Sequence, residues 1–310
     1  MAAVDLSTKV CGIEFSNPTV LASGILGTTK ALLQTVASAG AGAVTTKSVS
    51  LDPMPGHSNP VTVGFEAGLL NAVGYSNPGL HAAAQEFSDL ETVGVPVIAS
   101  VIGRGVGDIV KVVEGLWGQG FAAIEISLSC PHTPGFGMMA GQSTPSYTRQ
   151  VVSAARRITS IPLLVKLSPD TPDIARVAKA AEEAGADGIT ATNSLGPGMI
   201  INLEVRRPVL GFKMGGVSGP ALRPIAVRCV YEIYEAVSIP IIGTGGVSTG
   251  RHAIEMLMAG ARAVGIGTAV CTGGVGVFST VCREMEEWMM ENDYSSVQEL
   301  IGAAHDRISE

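Results

Sequence analysis

The segments IPIIGTGG (239–246) and GARAVGIGT (260–268) decide the fold, because each is one copy of a unit that recurs along the chain. In the first, a proline stands just before an apolar run. The same arrangement appears in NPTVLASG from Asn17, VPVIASVIG from Val95 and IPLLVKLSP from Ile161. Proline has no N–H to give to a ladder, so it belongs at the start of a strand and not within it. In the second, a small-residue turn leads straight into an apolar run, as in AGAVTTKS from Ala41, FAAIEISLS from Phe121 and GADGITATNS from Gly185. There glycine or alanine ends a helix and the next strand begins at once. The two types alternate strictly, which predicts strands near 19–23, 43–47, 97–101, 123–128, 163–167, 188–192, 240–243 and 263–267. The runs are almost continuously apolar, as strands covered on both faces should be.

Helical patterns lie between these strands. The clearest spans 172–184, with Ile174, Val177, Ala178 and Ala181 on one face, Thr171 and Pro172 as start signal and Gly185 as stop. The stretch from Leu222 repeats the pattern through Ile225, Ala226, Cys229 and Ile233, which makes Cys229 a core thiol. The tail from about Val275 to Ile308 reads as one or two closing helices. Alternating strands and helices of this number predict an α/β fold, a single (β/α)8 TIM barrel over residues 1–310, with extended loops at the C-terminal face of the strands. Connections near 48–81, 130–144 and 193–221 are too long for simple turns, and in such a barrel the active site is built from the loops on that face.

Composition narrows the function. The chain has 310 residues, 46% hydrophobic and 15% charged, with 39 glycines and 17 prolines that suit short turns between buried strands. Its five cysteines (Cys11, Cys130, Cys229, Cys271, Cys282) are odd in number and contain no C-x-x-C pair. That argues against a disulfide framework, a metal site or an iron–sulfur cluster, and for a reducing cytoplasm. A net charge of −7 and a pI near 5.3 oppose nucleic-acid binding. The opening MAAVDLSTKVCG has no basic and apolar leader, and no apolar run is long enough for a membrane span.

The residues with chemistry cluster at predicted strand ends. Gly243, Gly245 and Gly246 follow strand seven, and Gly265, Gly267 and Thr268 lie in and after strand eight. These are the loops that form a phosphate site in many such barrels, although glycine also serves tight turns. Lys47 and Lys166 end otherwise apolar strands. Each either snorkels to the rim or joins a cationic floor for an electron-rich ring, since an ammonium is costly to bury unpaired. Cys130, directly after strand four, can be a nucleophile, a base or an inert filler. Asn71, Asn77, Asn193 and Ser194 offer the donors and acceptors that a planar ring with carbonyl and N–H groups needs, although Asn77, before Pro78 and Gly79, also suits a turn.

In order and spacing, ASG (22–24), TTKS (45–48), N-x-x-G-x-x-N-x-G (71–79), SCP (129–131), VKLSP (165–169), TNS (192–194), GGVSGPA (215–221), GTGG (243–246) and GIGTA (265–269) resemble the dihydroorotate dehydrogenases over essentially the whole chain. Cys130, where the membrane-bound class has serine, resembles the soluble class 1 enzymes, and the SCPH and GGVSGPA segments look more like the NAD-linked catalytic subunits.

The resemblance implies FMN as cofactor. Its phosphate would lie among Gly219, Gly245, Gly246, Gly267 and Thr268, with Ala22, Ser23, Lys47, Ser48, Lys166 and Thr192 around the rest of it. It also implies dihydroorotate as substrate, held by Lys47, Asn71, Val73, Gly74, Tyr75, Ser127, Asn193 and Ser194. Cys130 would take a proton from C5 while hydride passes from C6 to the flavin N5, giving orotate for pyrimidine (UMP) synthesis, with 131–142 as a lid. Ser127 and His132 depart from the asparagines of well-known members. They keep open a flavin subunit of the dihydropyrimidine dehydrogenase type, acting on uracil or thymine. A barrel isomerase or synthase without flavin, binding a phosphorylated substrate, is the alternative from another class. Implied partners are a second copy in a homodimer, or a heterotetramer with a subunit carrying FAD and an iron–sulfur cluster. The acceptor is then NAD or fumarate.

Overall fold

The computed structural model describes residues 4–128 and 143–305. Eight parallel strands close into a barrel: β1 (Thr19–Leu21), β2 (Ala43–Thr45), β3 (Val97–Val101), β4 (Ala123–Ser127), β5 (Leu163–Leu167), β6 (Gly188–Ala191), β7 (Ile241–Thr244) and β8 (Ala263–Ile266). Each pairs with its neighbours in chain order, and β8 returns to β1.

At the N-terminal rim the sequence repeat reappears as hydrogen bonds. The carbonyls of Pro18, Pro96, Pro162 and Pro240 accept the N–H groups of Val264, Val44, Ile124 and Ile189 at 2.7–3.0 Å. The carbonyls one residue on, Thr19, Val97, Leu163 and Ile241, accept from Gly42, Ala122, Asp187 and Arg262 on the other side at 2.8–2.9 Å. A proline therefore costs the ladder nothing here: its missing N–H lies at the strand's first position, and its carbonyl opens the pairing.

Side-chain alternation divides the barrel into an outer and an inner face. Ile124, Ile126, Val165 and Leu167 face the surrounding helices and belong to the main core. Val20, Ala43, Ile98, Ala123, Leu164, Ile242 and Ala263 fill the barrel's lower end. That end is plugged by an antiparallel hairpin, Thr8–Val10 with Ile13–Phe15, whose Val10 and Phe15 pack into the same cluster. Above that cluster the inward positions become polar: Thr45, Ser100, Glu125, Lys166, Thr190 and Thr244 are all buried.

The helix ring consists of α1 (Lys30–Ser38), α2 (Leu80–Glu86), α3 (Val106–Leu116), α4 (Pro145–Arg156), α5 (Ile174–Glu183), α6 (Arg223–Ala236) and α7 (Gly250–Met258), closed by α8 (Thr268–Gly273) and α9 (Val277–Glu291). Two expectations need correction. The start of α5 is set by Asp173, whose side chain accepts the Arg176 N–H at 2.9 Å, and not by Thr171 and Pro172. Several strands also end early: Lys47 stands two residues beyond β2, where its N–H turns to the Gly27 carbonyl at 2.8 Å. In the tail, among the described residues, α9 is followed only by a short 3-10 turn, Val297–Glu299. Cys229 is fully buried on α6, as its spacing implied.

Two of the long connections fold onto one another. Residues 62–65 and 68–71 form a hairpin, and its second strand pairs with Gly215–Ser218 from the loop after β6, which in turn pairs with Leu195–Gly198. This four-stranded sheet stands above the C-terminal mouth over its own small core of Leu70, Ala72 and Leu210. Among the described residues no helix is long and apolar enough to cross a membrane.

Candidate active site

A cavity of about 460 Å³ opens at the C-terminal mouth, between the barrel and the overlying sheet. Three sets of side chains line its floor. From β1 and β2 come Ala22, Ser23, Lys47 and Ser48; from β4 and β5, Ser127 and Lys166; from the end of β6, Thr192, Asn193 and Ser194. Asn71, Val73, Gly74 and Tyr75 close one wall, and Gly219, Gly245, Gly246, Gly267 and Thr268 the other. Every described residue that the family resemblance nominated for cofactor or substrate thus reaches one chamber, whereas Gly243 and Asn77, singled out from the sequence pattern, do not line it. Cys130, His132 and the 131–142 segment lie outside the described residues. On either side of that segment the Ser143 hydroxyl donates to the Leu128 carbonyl at 2.6 Å.

Local chemistry fixes these positions. The hydroxyls of Ser23, Ser48 and Ser100 form a triangle with edges of 2.9–3.2 Å, tying together the ends of β1, β2 and β3. Asn193 is held by its N–H on the Leu167 carbonyl at 2.9 Å, and its side-chain oxygen accepts the Ser194 N–H at 2.9 Å. Gly196 donates to both carboxylate oxygens of Asp170 at 3.1 Å, so the loop after β6 is anchored to the end of β5. Burial raises the Asp170 pKa, against the lowering effect of hydrogen bonds from Gly196 and Ser168. Gly74 and Tyr75 both take left-handed backbone, φ 74° and 56°, an uncommon state for a tyrosine that the surrounding wall must support. Asn77 does not line the cavity. Its amide binds Ser50, Tyr75 and Gly79, the turn role that its Asn-Pro-Gly context allowed.

The glycine wall shows what kind of group would fit. Gly246 has φ 75°, and a Cβ there would lie 2.6 Å from Arg223 Cβ and 2.9 Å from the Gly219 carbonyl, so the fold itself requires glycine. Gly267 is different. Its φ is −124°, and an added Cβ would meet only Ala22 Cβ, at 3.5 Å. Packing does not call for glycine at that position, which faces the cavity and leaves room for the close approach of a ligand. On the opposite side the Lys166 ammonium, almost fully buried, makes no hydrogen bond to a described residue. A bare backbone cradle at one end, and at the other a buried ammonium that stands 3.7 Å from the Glu125 carboxylate, fit a long anionic ligand with an electron-rich head. FMN is such a group.

Sequence reasoning missed several lining residues. Ser218 accepts the Thr268 hydroxyl at 2.8 Å, and Thr244 and Ser248 flank the glycine pair. Phe65, Glu66, Ala67 and Gly68 enter from the 62–71 hairpin. The two short runs TVGF and GLLN around Glu66 and Ala67 were the only signal for that hairpin, too brief to separate from loop. Among the described residues no group of three or more His, Cys, Asp and Glu side chains is placed to hold a metal.

A family model described as dihydroorotate dehydrogenase matches residues 5–289. The dihydroorotate dehydrogenase B (NAD(+)) catalytic subunit of Methanothermobacter thermautotrophicus is 46% identical over 97% of this chain and 99% of its own length. Proteins of the same description from Methanocella arvoryzae and Pyrococcus abyssi are 43% and 42% identical, over 95% and 96% of this chain and 96% and 99% of theirs. With that match end to end, on a closed eight-stranded barrel whose mouth gathers the motif residues, the chain belongs to the dihydroorotate dehydrogenase family.

Proposed function

We propose that this protein oxidises dihydroorotate to orotate for UMP synthesis, using bound FMN, as a cytoplasmic catalytic subunit that passes electrons to NAD through a partner. The observation that carries the reading is the convergence, in one cavity, of residues drawn from separate strand ends that the family resemblance assigned to cofactor and substrate. When bound, FMN supplies the two-electron acceptor.

The chain's own residues do the rest. Gly219, Gly245, Gly246, Gly267 and Thr268 would receive the phosphate on bare backbone and a hydroxyl, a surface that tolerates close approach. Lys166 would lie against the ring and would offset negative charge on it. Ala22, Ser23, Ser48 and Thr192 would hold the rest of the flavin. Asn71, Asn193, Ser194 and Ser127 satisfy the pyrimidine's amide groups, while Val73, Gly74 and Tyr75 shape the wall above it. Lys47, shared between ring and substrate, is the cation for the orotate carboxylate. Cys130 takes the C5 proton, and water is excluded by the sheet above. The paired chain is a second copy in a homodimer, or an FAD and iron–sulfur subunit in a heterotetramer, the arrangement that the words "catalytic subunit" in the relatives' names favour.

The deciding experiment is the visible spectrum of the purified protein, followed anaerobically on adding dihydroorotate and, separately, dihydrouracil. Bleaching of a flavin band by dihydroorotate alone is expected. Bleaching by dihydrouracil alone would assign the Ser127 and His132 departures to a change of substrate. A protein that takes up no flavin when FMN is supplied would overturn the reading.

A further inference from the structure

Lys166 is not the only charge buried in the barrel. Glu125 Oε1 stands 3.7 Å from Lys166 Nζ, and the two side chains are 4% and 6% exposed. They occupy different layers. Glu125 is opposite Leu164 in the β4–β5 register, whereas Lys166 is opposite Ser127, one inward position higher. Lys166 lines the cavity and Glu125 does not. The carboxylate therefore sits behind the ammonium as seen from the ligand, and Oε1 has no hydrogen-bond partner.

An arrangement of this kind is poor for stability. Two charges are removed from water, they stand beyond hydrogen-bond distance, and one carboxylate oxygen is left with nothing but the ammonium's field. Well-packed apolar residues of similar volume would hold the barrel at least as well. What the pair does provide is electrostatic. A lone ammonium beneath an electron-rich ring stabilises every negative charge that arrives there, and a carboxylate directly behind it reduces that pull.

We propose that Glu125 is a positioning residue that holds Lys166 against the cavity floor and, by offsetting its charge, keeps the reduction potential of the bound flavin low. The inference rests on the flavin reading above. Its functional logic is that of a relay: a site that accepts two electrons from substrate must also release them, and an uncompensated lysine would hold them too tightly.

The test is a redox titration of the flavin-loaded protein as wild type, Glu125→Gln, Lys166→Met and the double variant. Glu125→Gln keeps the shape and removes the charge. The flavin midpoint is expected to rise by at least about 30 mV, tenfold in a two-electron equilibrium. In the Lys166→Met background the same change should move the midpoint by less than half as much. A midpoint that is unchanged or lowered overturns the proposal, as does an equal rise in both backgrounds, which would mean that the carboxylate does not act through the lysine. A thermal melt of the flavin-free proteins tests the pair independently of any cofactor. The double variant should melt above both single variants, because each single leaves one buried charge unpaired; simple additivity would refute the pairing. Flavin bands in the wild-type spectrum report on the cofactor reading separately from either result.

Discussion

At the residue scale, the glycines separate what the fold needs from what a ligand needs. Gly267→Ala adds a methyl group where only Ala22 is near, so the flavin-free melting temperature should stay close to that of wild type while FMN affinity falls at least tenfold. Gly246→Ala should lower both, because its positive φ and its contacts with Arg223 and the Gly219 carbonyl leave no room. Calorimetry of flavin-free protein alongside FMN titration separates the two cases. Cys130→Ser is expected to retain flavin yet slow its reduction by dihydroorotate by about 10²–10⁴-fold at neutral pH, the usual contribution of a general base; stopped-flow bleaching measures it. The other thiols behave differently. Burial, aided by the Asp187 charge, pushes Cys11 up to about 12, and burial pushes Cys229 and Cys282 up to about 11, all from 9.0. Since these folded values are raised, their contribution to stability is fully present below about pH 9 and is lost as pH climbs through 11 to 12. At pH 8 these three thiols should resist alkylation in the folded protein while exposed Cys271 reacts, as peptide mapping would show. That Lys166 and Gly267 line the cavity was legible from their place in a motif. Glu125 was not, because nothing in EISLSC says which inward residue lies behind which.

Elements show the same division. The proline-start and glycine-start runs gave eight strands within a residue or two of their true limits, since each carries its own boundary signal ahead of a largely apolar run. The N-terminal hairpin gave no such signal, being three residues on each side of Cys11 and Gly12. Its importance comes from where it packs: Phe15, 1% exposed, fills the floor of the barrel against Val20, Ile98 and Leu164. Phe15→Ala should cost about 3–5 kcal/mol in urea unfolding, as expected for a buried aromatic truncated in a core. Because the cavity is at the opposite end, the FMN affinity of the folded variant should remain within about threefold of wild type, a number set by the 1.4 kcal/mol that a tenfold change would need. A large loss of FMN binding would mean that the floor and mouth are mechanically coupled.

For the whole molecule, the question is where the electrons go. Loaded with FMN, the chain alone should bleach with dihydroorotate and reduce an artificial dye, but should not reduce NAD. NAD reduction is expected only when an FAD and iron–sulfur subunit is added, and direct NAD reduction by the isolated chain would contradict the partner reading. The sequence by itself determined the eight-fold alternation, the (β/α)8 class and the strand ends that carry lysine, cysteine, asparagine and glycine, because those features are local: a proline, a turn and a period of apolar residues are read within ten positions. Only the tertiary structure decided that loops 48–81 and 193–221 build one sheet over the mouth, that a hairpin closes the floor, and that Glu125 stands behind Lys166. Each of these depends on contacts between residues far apart in the chain, such as Asn71 with Gly216 and Val10 with Leu164, and such contacts leave no periodic trace in either partner.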